Sequence, residues 1–295
     1  MKAFKIEKIL IPIDFSDTSL LAIEHAAFMA QLFKAELVLL HVVEKFWEKF
    51  SIVVPEVNIV TPEDFMESLE KKLEEIAEGI RAKYGVKSKC LTTDGNIYSE
   101  IMTVSAEADV DLIVMGTHGI KGIAEFFVGS NTYKVVTHAK VPVLSVQTTA
   151  SHLGYKNILL PIDDSTHSRQ KVNHAIELAK HFGSKLHILG LEHSDDDAID
   201  RGKFEIKLEQ IVAYAKKCGV HCDMEIVKGS NQAKTTLEYA NNKDNDLIII
   251  MTDQEENISG RLLGSYAQQV VNHSKIPVLS VQPHKGAVHA WENPY

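Results

Sequence analysis

The fold is decided by a stretch that occurs twice, as KILIPIDFSDTSLLAIEHAAFMAQLFKAELVLLHVV at residues 8–43 and as NILLPIDDSTHSRQKVNHAIELAKHFGSKLHILGLE at residues 157–192. In each copy a short apolar run is followed by an amphipathic stretch and then by a second apolar run. Continuous apolar runs are typical of strands buried on both faces, and the stretch between them is typical of a helix. The repeated unit therefore predicts a parallel sheet with helices on both faces.

The repeat continues to the end of each copy, so two copies of one unit fill nearly the whole chain. DVDLIVMG is matched by DNDLIIIM, and HAKVPVLSVQ is matched by HSKIPVLSVQ. The offset between the copies is 149 residues at Asp14 but 135 at Gly129, and we place the difference at the apolar segment 46–60. We expect two tandem domains and a surface tail, at residues 1–148, 155–283 and 284–295.

The composition describes a globular chain and argues against a nucleic acid partner. Of the 295 residues, 45% are hydrophobic and 24% are charged, and the formal net charge is -9. Binding to nucleic acid needs a basic surface that neutralises phosphates, and an acidic chain does not supply one. We therefore expect no nucleic acid partner.

Apolar runs and cysteines indicate the cellular compartment of the protein. No apolar run approaches the roughly 18 residues of a membrane span. The N-terminal run ends at Asp14 without the cleavage site of a signal peptide. Three cysteines are an odd number, which favours reduced thiols, and the CGVHC spacing at residues 218–222 is not that of a usual zinc site. We expect a cytoplasmic protein that binds neither a membrane nor a metal through these thiols.

A second informative stretch is GTHGIKGIAEFFVGSN, which begins at Gly116 and ends at Asn131. Glycine at Gly116 and Gly119 would let backbone N–H groups approach a bulky anion without a Cβ between them. Gly129 and Ser130 precede a helix, whose free N–H groups and positive dipole end attract phosphate. The stretch is neither a Walker loop nor the Rossmann fingerprint. An alternative is that these glycines serve only the geometry of the chain.

The order ILIPIDFSDTS, LLHVV, GTHG, nine residues, GSN and VPVLSV resembles the universal stress protein family. ATP-binding members of that family carry Gly-x2-Gly-x9-Gly-Ser/Thr, and Gly116, Gly119, Gly129 and Ser130 meet this pattern in full. The resemblance covers both halves, as in the tandem type of the family. It implies an α/β fold of two tandem domains, each a five-stranded parallel sheet of the Rossmann-like, adenine nucleotide alpha hydrolase-like type. It also implies that the last strand is exchanged or paired between the domains.

The resemblance implies a set of nucleotide-binding residues. ATP would lie across the ends of the strands, with Asp14 near the ribose or the adenine and the backbone of Ile13 beside it. Val42 would line the adenine site. His118 and Asn131 lie within the motif and are candidates for contacts with the phosphates. An alternative for Asp14 is a turn acid ahead of the first helix.

The second copy departs from this pattern. Met251 stands where the first copy has Gly116, and Gln254 stands where it has Gly119. Bulk at Met251 opposes a close approach of the backbone to phosphate. The same loop adds three carboxylates, which repel phosphate: Asp253, Glu255 and Glu256. We predict one ATP per chain, in the first half.

Function is less sharply indicated than binding. No positioned base or nucleophile is evident, so we assign no catalytic residue. One hypothesis is a non-catalytic stress-response module whose ATP state is read by a protein partner. Another is a slow ATPase or phosphotransfer protein, and a third is a nucleotide-free scaffold or carrier that uses segment 46–60. Lys121 is the one basic residue between Gly119 and Gly129, which predicts modest affinity or reliance on Mg²⁺. Homodimerisation of whole chains stays open.

Overall fold

The computed structural model describes residues 4–44, 62–117, 128–150, 152–165, 167–192, 198–252, 254–257 and 260–283. Several features named above lie outside these residues: segment 46–60, His118, Gly119, Lys121, Asp253 and the tail 284–295. Within the described ranges, no helix combines the length and the apolar character needed to cross a membrane.

The two halves of the chain repeat one order of strands and helices. The first half contains β1 (Lys8–Pro12), α1 (Asp17–Phe33), β2 (Glu36–Val43), α2 (Pro62–Tyr84), β3 (Ser88–Asp94), α3 (Ile97–Glu107), β4 (Leu112–Gly116), α4 (Ser130–His138) and β5 (Val143–Val146). The second half contains β6 (Asn157–Ile162), a 3₁₀ turn (Ser168–Lys171), α5 (Val172–Phe182), β7 (Lys185–Glu192), α6 (Ala198–Lys217), β8 (Cys222–Lys228), α7 (Gln232–Asn242), β9 (Leu247–Met251), β10 (Gln254–Asn257), β11 (Gly260–Leu263), α8 (Ser265–His273) and β12 (Val278–Val281). The length difference between the copies lies between β2 and β3, where the predicted segment 46–60 is situated.

In the part of the chain that the structure describes, ten strands form one sheet, in the order β3-β2-β1-β4-β5-β12-β9-β6-β7-β8, and β10 pairs with β11 in a separate hairpin. Within each half the neighbouring strands are parallel. β5 and β12 pair antiparallel, with Leu144 opposite Leu279, and this pairing joins the halves. The predicted fold class is therefore confirmed. The last strands are paired and not exchanged, because each also stays beside β4 or β9 of its own half.

Each face of the sheet has its own apolar core, because side chains alternate along a strand. Helices α1, α2, α5 and α6 cover one face, where Ile23 packs in the same core as Ile9. Helices α3, α4, α7 and α8 cover the other face, where Ile101 packs in the same core as Leu10. Parallel strands end at one edge of a sheet, so the carboxyl ends of β1, β2 and β4 meet the starts of α1, α3 and α4.

A buried histidine lies where the two halves meet. His25 of α1 is 2% exposed, its Nε2 bonds the carbonyl of Ala150 at 3.0 Å and its Nδ1 bonds the Tyr155 hydroxyl at 3.2 Å. A carbonyl can only accept, so Nε2 carries the proton and Nδ1 accepts from Tyr155. Burial lowers the pKa of His25, although the carbonyl of Ala150 and the charge of Glu24 oppose this effect.

We expect this histidine to make the chain less stable in mild acid. The unfolded chain takes up a proton near pH 6.5 and the folded chain resists it, so the contribution is fully present above that pH and is lost below it. The free energy of unfolding should fall by up to about 1.4 kcal/mol per pH unit for each such histidine. Urea unfolding of wild type and His25→Gln between pH 7.5 and 5 measures the difference. Burial also lowers the pKa of His187. His187→Val should therefore reduce the pH dependence of the free energy of unfolding as well. Equal slopes in wild type and His25→Gln would contradict the assignment to His25.

Candidate functional site

An open cavity of about 110 Å3 lies at the carboxyl ends of the strands in the first half. Its wall includes the last residue of β1, the end of β4, and the first turns of α3 and α4. Five of the predicted site residues line it: Ile13, Asp14, Val42, Gly116 and Asn131. The fold thus brings together, around one cavity, residues that lie more than 100 positions apart in the sequence.

The lining of the cavity is apolar at its base and polar at its rim. Leu40 and Val42 of β2 and Met115 of β4 supply apolar surface, while Asp14 and Asn131 supply polar atoms. Leu40 and Met115 are buried beneath the cavity. A pocket with apolar walls and a few polar groups suits a small organic ligand that has a flat apolar part and a polar part.

Asp14 has the hydrogen bonds of a turn acid. Its Oδ1 accepts from the backbone N–H of Ser16 at 3.0 Å and from the Ser16 hydroxyl at 2.6 Å. Ser16 in turn caps α1, because its Oγ accepts from the N–H of Ser19 at 3.2 Å. These bonds hold the Asp14 carboxylate at the rim of the cavity. The turn-acid role and a place beside a ligand are therefore compatible.

The loop between β1 and α1 is held in a strained conformation. Phe15 has a φ of 63°, which is uncommon for a bulky side chain and costs free energy that the surrounding contacts must offset. Its ring packs on the ring of His41, with 4.7 Å between centroids, and the Lys72 Nζ lies 4.2 Å from the Phe15 centroid. His41 Nδ1 donates to the carbonyl of Ile13 at 2.7 Å. These contacts fix the backbone beside Asp14.

Gly116 is required by packing and not only by access to a ligand. A Cβ built on Gly116 would lie 2.7 Å from Thr18 Cγ2 and 3.0 Å from the Thr18 carbonyl carbon. The first turn of α1 therefore rests directly on the end of β4. The approach of an anion to this glycine stays a prediction, and the contact with Thr18 adds a packing role, in line with the alternative that the glycine serves the geometry of the chain. The carbonyl of Gly116 also accepts from the Thr132 hydroxyl at 2.9 Å, which ties α4 to β4.

Gly129 and Ser130 form the N-terminus of α4, as predicted. Gly129 is the N-cap, and no side chain among the described residues caps this end of the helix. The N–H of Gly129 donates to the carbonyl of Thr117 at 2.7 Å, which directs the turn. The preceding N–H, of Val128, donates to Asn272 Oδ1 of α8 at 3.3 Å. The second half thus contributes one contact to the turn that begins α4. An uncapped helix N-terminus beside an open cavity can accept an anionic group.

The corresponding place in the second half is nearly filled. The cavity there measures about 10 Å3, and Met251 is one of the residues that line it. Its loop forms the hairpin β10–β11, which sequence reasoning missed, and β11 contacts α4 of the first half. Sequence reasoning also missed Lys171, which lines this small cavity. The signal was available in the repeat, because Lys171 stands where the first copy has Ala22.

Comparisons with known proteins agree with the fold. A model of the universal stress protein family matches residues 5–147 and 154–282. The universal stress protein MJ0577 of Methanocaldococcus jannaschii is 33% identical over 153 residues, which are 48% of this chain and 94% of that protein. The universal stress protein YxiE of Bacillus subtilis is 33% identical over 147 residues, which are 48% of this chain and 98% of that protein.

A solved structure matches the chain over both halves. The crystal structure of a universal stress protein from Archaeoglobus fulgidus covers 96% of this chain and 99% of its own, with a TM-score of 0.70 and 20% identity. At that identity the likeness concerns the fold alone. Together with the two matches of the family model, it explains why each single-domain relative covers half of the chain. The chain belongs to the universal stress protein family.

Proposed function

We propose that the first half binds ATP and that the chain acts as a non-catalytic, nucleotide-dependent regulatory module of the cytoplasm. The observation that carries this proposal is the cavity of about 110 Å3, which opens beside the uncapped N-terminus of α4. A partner protein, or a second copy of the chain, would respond to the nucleotide. Stress response follows as the expected setting from membership of the family.

The chemistry of the cavity fits the parts of a nucleotide. The apolar surface of Leu40, Val42 and Met115 suits an adenine ring, and Asp14 at the rim can accept from ribose hydroxyls. The N–H groups that begin α4 would meet the phosphates, with Ser130 and Asn131 next to them. His118 and Gly119 belong to the same proposed set. Mg²⁺ would balance phosphate charge, and we assign no ligand for it.

Calorimetric titration with ATP and Mg²⁺ tests this proposal. We expect one site per chain, and we expect Asp14→Ala to lower the affinity by about tenfold or more, because both the acceptor and the bonds that fix the turn are lost. Asp14→Asn keeps an oxygen acceptor for Ser16 and should lose less. The matched control is Asp163→Asn in the second half, which should leave the affinity unchanged. Equal losses in the Asp14→Ala and Asp163→Asn variants, or no heat of binding in wild type, would contradict the proposed site. Release of ADP through many turnovers would instead indicate an ATPase.

A further inference from the structure

The two copies also differ at the start of the helix that follows the first strand of each half. In the first half α1 begins at Asp17 as a regular α-helix. In the second half a 3₁₀ turn occupies Ser168–Lys171, and α5 begins at Val172. By the offset of 149 residues, the regular helix starts six residues later than in the first half.

Met251 explains why the first turn of this helix is displaced. It occupies the position of Gly116, where a Cβ would collide with Thr18 of a regular first turn. Met251 is 3% exposed, and the 3₁₀ turn packs against β9, the strand that ends with Met251. A tighter 3₁₀ turn replaces the α-helical turn that this side chain excludes. The glycine-to-methionine change therefore alters the helix start and not only the loop that follows.

Lys171 lines the same small cavity as Met251. It replaces Ala22, and its side chain is 3% exposed, which is rare for a lysine. Its Nζ donates to the Ser168 carbonyl at 2.8 Å and to the Ser168 hydroxyl at 3.2 Å. A buried ammonium is costly unless a negative charge and acceptors accompany it. Lys171 is therefore held in place by these specific hydrogen bonds.

The accompanying negative charge is Asp163, the counterpart of Asp14. Burial acts to raise the pKa of Asp163, but the charge of Lys171 and hydrogen bonds from Ser165 and Ser168 outweigh it, so the pKa lies below its usual range. The N–H of Ser165 donates to Asp163 Oδ1 at 3.0 Å, as Ser16 does to Asp14. The second half thus keeps Asp163 and its turn, and Lys171 lines the same cavity.

The consequence for the cavity is large. Asp163, Lys171 and Met251 line a space of about 10 Å3, against about 110 Å3 around Asp14 in the first half. A space of this size holds about one water molecule. The space between the described residues is too small for a nucleoside.

We propose that Lys171 is an internal plug: its ammonium, held on Ser168 and accompanied by Asp163, occupies the cleft of the second half and excludes a nucleoside from it. The choice of nucleoside as the excluded ligand rests on the function proposed for the first half. Lys171, together with Met251, then decides which half takes the ligand. The loop after β9, which lacks the two glycines of the first half, also opposes phosphate binding. It is a second obstacle, because the plug already closes the cleft.

The first test opens the plugged cleft. Adenosine is the probe, because it needs no phosphate loop, and its stoichiometry is measured by calorimetry and by NMR. We expect one adenosine per wild-type chain and two per chain of the Lys171→Ala/Met251→Gly variant. Lys180→Met removes an exposed lysine from α5 and should leave one. If the Lys171→Ala/Met251→Gly variant is folded and binds only one adenosine, the proposed plug is wrong and the site in the first half stands.

The second test needs no nucleotide, so it separates failure of the plug from failure of the proposed function. Lys171→Met and Asp163→Asn should each lower the urea midpoint, because each leaves the other charge buried without its partner. The double variant should recover part of that loss, and Lys180→Met combined with Asp163→Asn should show simple addition. Simple addition for Lys171 and Asp163 as well would overturn the internal pair. If wild type binds neither adenosine nor ATP but Lys171 and Asp163 are coupled, the proposed function fails while the internal pair stands.

Discussion

ATP binding is expected to be lost in the Gly116→Met variant, with affinity falling by more than about 100-fold, or about 2.7 kcal/mol. The first reason is steric, since even a Cβ at this position lies 2.7 Å from Thr18 Cγ2. The second is that the first turn of α1 must then move, as it has in the second half, and this turn carries Ser19 of the cavity wall. Stability should also fall, by about 1–3 kcal/mol, because the junction of α1 and β4 is overpacked. Calorimetry with ATP and urea unfolding measure the two effects.

Two control variants distinguish packing from ligand access. Gly79→Ala lies in α2, where a Cβ meets no atom within 4 Å, so ATP binding should be unchanged and stability should rise by up to about 1 kcal/mol. Gly116→Ala should weaken ATP binding, and adding Thr18→Ala should restore part of it by removing the colliding methyl group. If Thr18→Ala restores nothing, the methyl group of Thr18 is not the cause of the loss, which then lies in the Thr18 backbone, 3.0 Å from the built Cβ, or in close approach of a ligand. Full ATP binding by Gly116→Met would contradict both reasons.

A large loss of stability is expected from Leu144→Ala or Leu279→Ala. These leucines face each other across the antiparallel pair β5–β12, and each is 1% exposed. Each truncation should lower the free energy of unfolding by about 2–5 kcal/mol, because it removes buried apolar surface and leaves a cavity. Their effects should not add, since the side chains share one core. Circular dichroism during urea unfolding measures these changes.

The control for this pair is Ile206→Ala, which truncates a side chain that is 56% exposed on α6 and should change stability by less than about 0.5 kcal/mol. A similar small effect of Leu144→Ala would show that the junction of the halves contributes little to stability. Two separated unfolding transitions in wild type would show that the halves unfold independently.

The sequence predicted the apolar strands β1, β2, β4 and β5, and their order along the chain, because the relevant signal is local. β1 and β4 are buried on both faces, so their apolar runs are continuous, and the repeat supplied each of them twice. The predicted cavity residues Asp14 and Val42 were found together because parallel strands end at one edge. Such features need only strand identity and direction.

Features that depend on contacts between distant elements were not predicted. The role of Gly116 depends on Thr18, which lies about 100 residues earlier in the chain. The hairpin β10–β11 has a polar first strand and no apolar alternation, so no pattern indicated it. Lys171 was visible in the repeat, but its effect depends on the space that Met251 alters. The asymmetry of the halves therefore follows from packing at one strand end as well as from the composition of a loop.

The nucleotide content of gently purified protein, measured by native mass spectrometry with release of the ligand, tests the central claim most directly. We expect close to one adenine nucleotide per wild-type chain and none in Gly116→Met, while Asp163→Asn keeps one. Two nucleotides per wild-type chain would contradict the closed second half. No nucleotide, together with no binding when ATP is added, would contradict the proposed site in the first half.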